Sequence, residues 1–503
     1  MCITTLFTFY WEKIIQTIND AKKFCEPDGK IFVGGIAATI HPDEIFYETG
    51  IQPLTGLLDK PGMLDKNNND IIDELPLDYS ILNEIDYEYP ASNAYFRYMT
   101  RGCVRKCKFC AVPKLEPEYK NYVSIKNQIQ YTKDKFGARK DLLLMDNNLL
   151  ASKNFDEIID EIIECGFRKG AKFKPSNDYE IAIKNLKEGY NFRGYIRKII
   201  KLYDKILERL PEKQSGEFYN LREKRGLLYA ETATVENIFK FDEIFRPLFE
   251  TYTKLKSVVR YVDFNQGLDA RLVNDKRMKK LSELNIKPLR IAFDHYEQRE
   301  IYCNAIKLAA KYGIKDMSNY LLYNFLDKPE ELYKRIKINI DLCEELGINI
   351  YSFPMKFHPL DDPKFFKNRD YIGIHWNKKF IRAIQAILNS TKGKIGRGRE
   401  FFEEAFGRNL KEFKKLLWMP ETFIIFRRKY DAELRARLAY KYNDNSENNC
   451  DLANEWWLEF SSISSRKLSI AKKIISDNDF SDIHENDVDI SHLLSYYKIT
   501  RTD

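Results

Sequence analysis

The sequence predicts an α/β chain built around a partial (βα)6 barrel. Three observations carry that reading. Between about residues 91 and 376, short apolar runs of strand type alternate with stretches whose apolar residues repeat at helical spacing. Six such strands can be counted in βα order. The runs are also continuously apolar, Asp141-Leu-Leu-Leu-Met-Asp146 above all, as strands buried on both faces of a parallel sheet are. A partial open α/β unit with its connector (residues 1–90) precedes this region. A helical insertion interrupts it at about 169–256, and a mostly helical region, 377–503, follows.

In chain order, the apolar, β-branched and aromatic run Ile3 to Tyr10 predicts a strand. Trp11, Ile14, Ile15, Ile18 and Ala21 predict an amphipathic helix over Trp11 to Phe24. Lys30 to Val33 reads as a second strand, ending in Gly34-Gly35, and Pro42-Asp43-Glu44 opens another helix. Leu54 to Ser92 is a Pro/Asn/Asp-rich connector. Tyr95 to Thr100 is the first strand of the barrel, with a helix from Ser124 to Phe136 and the second strand from Asp141. Phe155, Ile158, Ile159, Ile162 and Ile163 mark a helix that stops near Gly166. Further strands are expected at Val258–Phe264, Leu289–Phe293, Tyr320–Tyr323 and Ile348–Phe353. Before the last of these, Asp327 is expected to cap a helix with Pro329 in its first turn, Leu332, Ile336, Ile340 and Cys343 on one face, and Gly347 at its end.

Composition narrows the class. A chain of 503 residues suggests two to four domains. The net charge of +7, spread over 82 basic and 75 acidic residues, permits a nucleic-acid partner without arguing for one. Nine cysteines without an even framework point to a reducing compartment rather than to disulfides. No run of 18 apolar residues and no charged-then-apolar leader is present, so no membrane partner is expected and the chain is read as cytoplasmic.

The chemistry is concentrated after the first barrel strand. Gly102 breaks it, and Cys103, Cys107 and Cys110 follow in a Cys-x3-Cys-x2-Cys pattern. Thiolates so close in sequence converge on one metal centre with little loop entropy to lose. They leave a [4Fe-4S] cluster one cysteine short, since such clusters normally take four. An iron with an open position can bind and activate a substrate. Arg101, Arg105, Lys106 and Lys108 surround the cysteines, and positive charge favours the thiolate. A structural zinc site would want four ligands, but there is no second knuckle, and the nearest histidines are His41 and His295.

With an aromatic residue, Phe109, just before the last cysteine, this stretch resembles the radical S-adenosylmethionine (radical SAM) superfamily. More narrowly it resembles the branch carrying an N-terminal cobalamin-binding domain, here truncated. The partial, TIM-like radical SAM barrel is also that family's fold. The resemblance implies that Cys103, Cys107 and Cys110 hold a [4Fe-4S] cluster and that Phe109 flanks the adenine of S-adenosylmethionine. It implies reductive cleavage of that cofactor to a 5′-deoxyadenosyl radical, fed by an electron donor such as a flavodoxin or ferredoxin, acting on an unknown substrate. Val33-Gly34-Gly35-Ile36-Ala37-Ala38-Thr39 resembles a turn of the cobalamin-binding domains. The earlier strands and the Asp-x-His-x-x-Gly signature are missing, however, and His41 is expected at a helix start, so a vestigial unit is the preferred reading over a cobalamin site.

The remaining rim positions extend the candidate site. Asp146-Asn147-Asn148 follows the second strand, where the family holds the cofactor's ammonium group with a Gly-Gly-Glu-like segment; the trio offers carbonyl acceptors, or forms a plain Asx turn. After the third strand, Gln266 and Arg271 are candidate cofactor contacts, with Arg271 able to fork onto a carboxylate; an N-cap or ion pair is the competing use of Asp269 and Arg271. Asp294-His295 could reach ribose or substrate, Asn324 to Pro329 stands where the family turns against adenine, and His358 is either a loop histidine or a substrate contact. Met355 and Phe357 read as packing.

The insertion repeats Tyr195, Ile196, Ile199, Ile200, Tyr203, Ile206, Leu207 and Leu210 at helical spacing, a folded subdomain placed to help cover the site. In the tail, Lys392-Gly-Lys-Ile-Gly-Arg-Gly-Arg399 is not a P-loop, though a basic glycine loop suits a polyanion. The expectation is therefore a radical SAM enzyme. The alternatives are a non-catalytic iron–sulfur or zinc binding module, and a cobalamin-dependent radical SAM methyltransferase.

Overall fold

The computed structural model describes the chain except residues 28, 394, 397, 427–449, 481–486 and 500–503. In the front unit, strand β1 (Cys2–Thr5) pairs in parallel with β2 (Phe32–Gly35), Cys2 opposite Phe32. The first strand ends at Thr5 rather than running to Tyr10; the chain turns into a short 3-10 segment, Thr8–Tyr10, and leaves Phe7 and Tyr10 about half exposed. The second sits two residues later than expected because Gly34 and Gly35 take the register opposite Thr4 and Thr5. Gly35 has φ +105°, and a Cβ there would lie 2.5 Å from the Thr5 carbonyl oxygen, so only glycine fits this close approach. The helix Trp11–Phe24 is as expected and buries Trp11, Ile14, Ile18 and Ala21. These pack with Val33, Ala37, Ala38, Ile45 and, from far downstream, Phe366, which ties the front unit to the rest of the molecule.

Six strands follow in two parallel sheets. One has the order β3 (Ala94–Arg97), β4 (Asp141–Leu144), β7 (Val262–Phe264). The other has β8 (Leu289–Arg290), β9 (Asp316–Tyr323) and β10 (Asn349–Lys356). Isolated parallel bridges, Val262 to Ile286 and Leu268 to Ile291, join the two sheets, so the strands lie side by side in sequence order. Among the described residues β3 and β10 do not pair, and there is no closed barrel. Several strands are shorter than expected. β8 stops at Arg290, whose guanidinium forks onto Asp263 of β7 at 2.9 and 2.8 Å, a side-chain link where ladder bonds run out.

The helices cover this sheet as their apolar faces require. Phe155, Ile158, Ile159 and Ile162 are buried on one, and Leu332, Ile336, Ile340 and Cys343 on another. Each fully buried aliphatic side chain stabilises by about 1.5–3 kcal/mol. The helix Pro329–Leu346 departs from expectation at its start. Lys328, not Asp327, occupies the N-cap, and Glu331 accepts from the Lys328 amide at 3.2 Å. Asp327 instead accepts from the Phe325 amide at 3.0 Å, closing the loop before the helix. The same core continues through Trp376, Ile384, Phe413 and Trp456 to Tyr496, so residue 377 is no break in the packing.

The insertion enters and leaves through the antiparallel pair β5 (Lys172–Phe173) and β6 (Val258–Val259). The helices Asp178–Lys187, Phe192–Leu207, Glu212–Lys224 and Val235–Tyr252 enclose a core of their own around Tyr203, Phe218, Phe241 and Phe245. Of the basic glycine loop, Lys394 and Arg397 lie outside the described residues, as do 427–449, 481–486 and 500–503 of the expected helical tail. No helix among the described residues is long and apolar enough to cross a membrane.

Candidate functional site

The cysteine loop leaves β3 through Met99-Thr100-Arg101-Gly102 and is anchored before the first thiol is reached. Gly102 has φ +71°, and a Cβ would meet the Glu118 carbonyl oxygen at 2.3 Å, so the turn requires glycine. The buried Glu116 carboxylate accepts from the Gly102 amide at 2.6 Å and from Asn147 Nδ2 at 3.1 Å. It also pairs with Arg101, 3.3 Å away, and Arg101 in turn forks onto Asp73 at 2.9 and 2.8 Å. Asp146 supplies the second anchor. Its Oδ1 accepts from the Met99 amide at 3.0 Å, from Thr100 Oγ1 at 2.7 Å and from the Thr100 amide. Its Oδ2 is sealed and has no hydrogen-bond partner. Burial, only partly offset by those bonds, pushes the Asp146 carboxyl up to about 6.

Cys103, Cys107 and Cys110 are free and half-buried. They line one cavity of about 230 Å³, together with Phe109, Asn147, Asn148, Gln266 and Arg271. Cys103 Sγ accepts from the Arg105 amide at 3.3 Å and from Asn148 Nδ2 at 3.5 Å. Asn148 Oδ1 is sealed without a partner. The expectation that basic neighbours favour thiolates meets a competing effect. Burial pushes the Cys107 and Cys110 thiols up, although Arg271 opposes this at Cys107. Lys106 and Lys108 are exposed, and Arg105 Nε is spent on Asp269 at 3.1 Å.

Arg271, expected to clamp a carboxylate, forks onto Asp269 of its own chain, Nε to Oδ1 at 2.7 Å and Nη2 to Oδ2 at 3.0 Å. Burial alone would raise the Asp269 carboxyl, but the bonds from Arg271 and Arg105 outweigh it and hold it below the usual range. Asp269 also accepts from the Arg271 amide at 3.1 Å as the cap of a 3-10 turn, Ala270–Leu272. Arg105, Asp269 and Arg271 thus form a clasp from the cysteine loop to the rim beyond β7. Gln266 is exposed at that rim.

Phe109 packs edge-on against His295 at 5.7 Å and Phe325 at 6.0 Å. Asp294 faces the same cavity, its carboxyl raised by burial, and Arg335 holds the Phe293 and Asp294 carbonyls at 3.0 and 2.8 Å. Asn324 is structural: with φ +67°, its side chain accepts from the Gly373 amide at 2.8 Å and donates to the Tyr371 carbonyl at 3.1 Å. His358 is not brought to the thiols; it lines a separate cavity beside Phe9, with both ring nitrogens sealed and unpartnered. His41 bonds the Leu360 carbonyl at 2.6 Å and lies 3.4 Å from Glu44.

Sequence reasoning missed Glu116, Asp73 and the bond from Arg105 to Asp269, whereas the cap and the ion pair offered as the competing use of Asp269 and Arg271 are both present. Only Glu116 left a trace, as an acid six residues after the last cysteine. Among the described residues no three His, Cys, Asp or Glu side chains converge closely enough to hold a single ion, so the thiols do not present a preformed mononuclear zinc site. A four-iron cube spreads its thiolates over separate corners and asks for a wider arrangement. Three thiols face one cavity, one fewer than such a cluster normally takes, with an unsatisfied amide oxygen of Asn148 beside them. No family model matches the chain.

Proposed function

We propose that the chain is a radical SAM enzyme whose two linked sheets form an open, partial (βα)6 barrel. One observation carries the reading: the cavity lined by all three cysteines lies at the C-terminal ends of the parallel strands, where βα folds collect their chemistry. Cys103, Cys107 and Cys110 would hold a [4Fe-4S] cluster. When bound, that cluster supplies the electron that cleaves S-adenosylmethionine and yields a 5′-deoxyadenosyl radical.

The protein's own share is anchoring; the insertion, expected to help cover the site, instead lines a cleft at the other ends of the strands, before β3 and β4. Glu116 and Asp146 fix the two ends of the cysteine approach before any ligand arrives. Asp146 spends Oδ1 on that lock, so the carbonyl oxygens of Asn147 and Asn148 are the acceptors left for a cofactor ammonium group. Arg271, committed to Asp269, acts by bracing the loop, and its charge opposes the rise that burial imposes on the Cys107 thiol. Phe109, buttressed by His295 and Phe325, offers an apolar wall for a purine. Exposed Lys106 and Lys108 suit an acidic one-electron carrier of flavodoxin or ferredoxin type. The front unit does not fit an axially ligated cobalamin, because His41, the one histidine of residues 1–90, is already engaged with Leu360.

Anaerobic reconstitution with iron and sulfide, followed by a reductant and S-adenosylmethionine, tests the reading. Release of 5′-deoxyadenosine is expected. Iron uptake without that release would indicate a binding module.

A further inference from the structure

A second cavity opens far from the cysteines. It is lined by Ser92 and Asn93, just before β3, and by Gly137 to Arg139, just before β4, so it sits at the opposite ends of the strands. Its volume is about 400 Å³, within the range of small-molecule sites. The connector forms one wall and the helix Phe192–Leu207 of the insertion the other. Two bonds fix the width of the cleft: Tyr190 Oη donates to Asp78 at 2.9 Å, and Asn191 Nδ2 to Ser80 Oγ at 2.7 Å.

The cavity carries a cation that makes no direct ion pair among the described residues. Arg139 lies over the Tyr79 ring at 4.4 Å, and the one hydrogen bond its side chain makes among the described residues is a weak one, Nη2 to the Phe136 carbonyl at 3.4 Å. Its Nε is sealed and unpartnered, and among the described residues it makes no ion pair; the nearby Asp178 is paired with Lys198 instead. Bracing a helix end explains the position of Arg139 but leaves its charge largely desolvated, offset only in part by Asp178 across the cavity and without a direct ion pair among the described residues. On the facing helix, Lys198 pairs with Asp178 and Lys201 with Asp86, whereas Lys205 has no ion pair among the described residues. At the mouth, Tyr87 and Tyr89 meet edge-on at 4.7 Å, yet they are 63% and 49% exposed, an apolar surface with nothing stacked on it.

We propose that this cleft binds a small planar aromatic anion, its charge between Arg139 and Lys205 and its ring against Tyr87 and Tyr89. The charge can be a phosphate or a carboxylate, since a guanidinium forks onto either. The proposal is independent of the cysteine site.

Calorimetric titration of the full chain tests it with two probes, AMP for the phosphate and 4-hydroxyphenylacetate for the carboxylate; adenosine and inorganic phosphate are the half-probes. Saturable binding of at least one complete probe is expected, with each half weaker. Lys205→Glu and Tyr87→Ala change exposed residues and leave the fold intact. Each should weaken the complete probe by about tenfold, or 1.4 kcal/mol. Circular dichroism melts confirm that the variants are folded. The proposal is overturned if neither probe saturates, or if both variants bind as the wild type does. Binding that responds to Lys205→Glu but not to Tyr87→Ala removes the aromatic requirement and overturns the ligand class.

Discussion

Arg271 and Asp269, two residues apart on the rim beyond β7, satisfy each other through a two-bond fork at 2.7 and 3.0 Å. The guanidinium that looks in sequence like a substrate clamp is therefore a brace. Asp269 takes a further bond from Arg105 at 3.1 Å, so the carboxylate sits between a cation of the cysteine loop and a cation of the rim.

Asp269→Asn should loosen that brace. The side chains of Arg105 and Arg271 are about a third exposed, so solvent screens the pair, and the stability loss should be about 1 kcal/mol in a urea titration. Iron retention after reconstitution should fall more sharply than stability, because the clasp holds the loop and not the core. Equal iron retention in the variant would count against the brace.

Glu116 has no substitute among its neighbours. Glu116→Ala leaves the Gly102 amide and Asn147 Nδ2 without their acceptor and Arg101 with Asp73 alone, at a cost of about 3 kcal/mol in denaturant unfolding. Glu116→Gln keeps an acceptor for Gly102 and should recover about half of that.

Asp146 gives a pH signature. Its folded carboxyl titrates near 6, above its ordinary value of 3.8, so the folded chain holds the proton more tightly than the unfolded chain. Stability from this group is present at low pH and is lost as pH rises through that window, by roughly 3 kcal/mol. Asp146→Asn does not titrate. Wild-type stability relative to the variant should therefore fall between about pH 4 and pH 7; parallel curves would contradict the assignment.

Lys379 lies fully buried in the helix Lys378–Ser390, its Nζ without a hydrogen bond, and burial pushes its amine down to about 8. A lysine lowered from 10.5 destabilises the fold below pH 8 and stops doing so as pH rises from 8 to 10.5. Lys379→Met should raise stability at pH 7 by roughly 3 kcal/mol, with the gain vanishing towards pH 10.5. A variant no more stable than the wild type would show that the Tyr497 ring, 5.8 Å from Nζ, offsets the burial.

Periodicity made the long elements legible. Trp11 to Phe24 is the expected helix because its apolar stripe can face only one way, and the insertion is helical for the same reason. Strand ends were less legible: β1 stops at Thr5 because pairing with β2 ends at Gly35, a limit set by a partner strand and not by local hydrophobicity. The cysteine loop was found from spacing alone. What sequence could not reveal is which acid meets which base. Asp269 and Arg271 are near in sequence but equally compatible with separate roles, while Glu116 acts on Gly102 and Asn147 from 14 and 31 residues away.

The most direct test is electron paramagnetic resonance of the reconstituted, dithionite-reduced chain with and without S-adenosylmethionine. A [4Fe-4S] signal that shifts on adding S-adenosylmethionine, and that is lost when Cys103, Cys107 and Cys110 are changed to alanine, is predicted. A signal that S-adenosylmethionine leaves unmoved, or one that survives loss of the three cysteines, would contradict a cluster with a corner open to the cofactor.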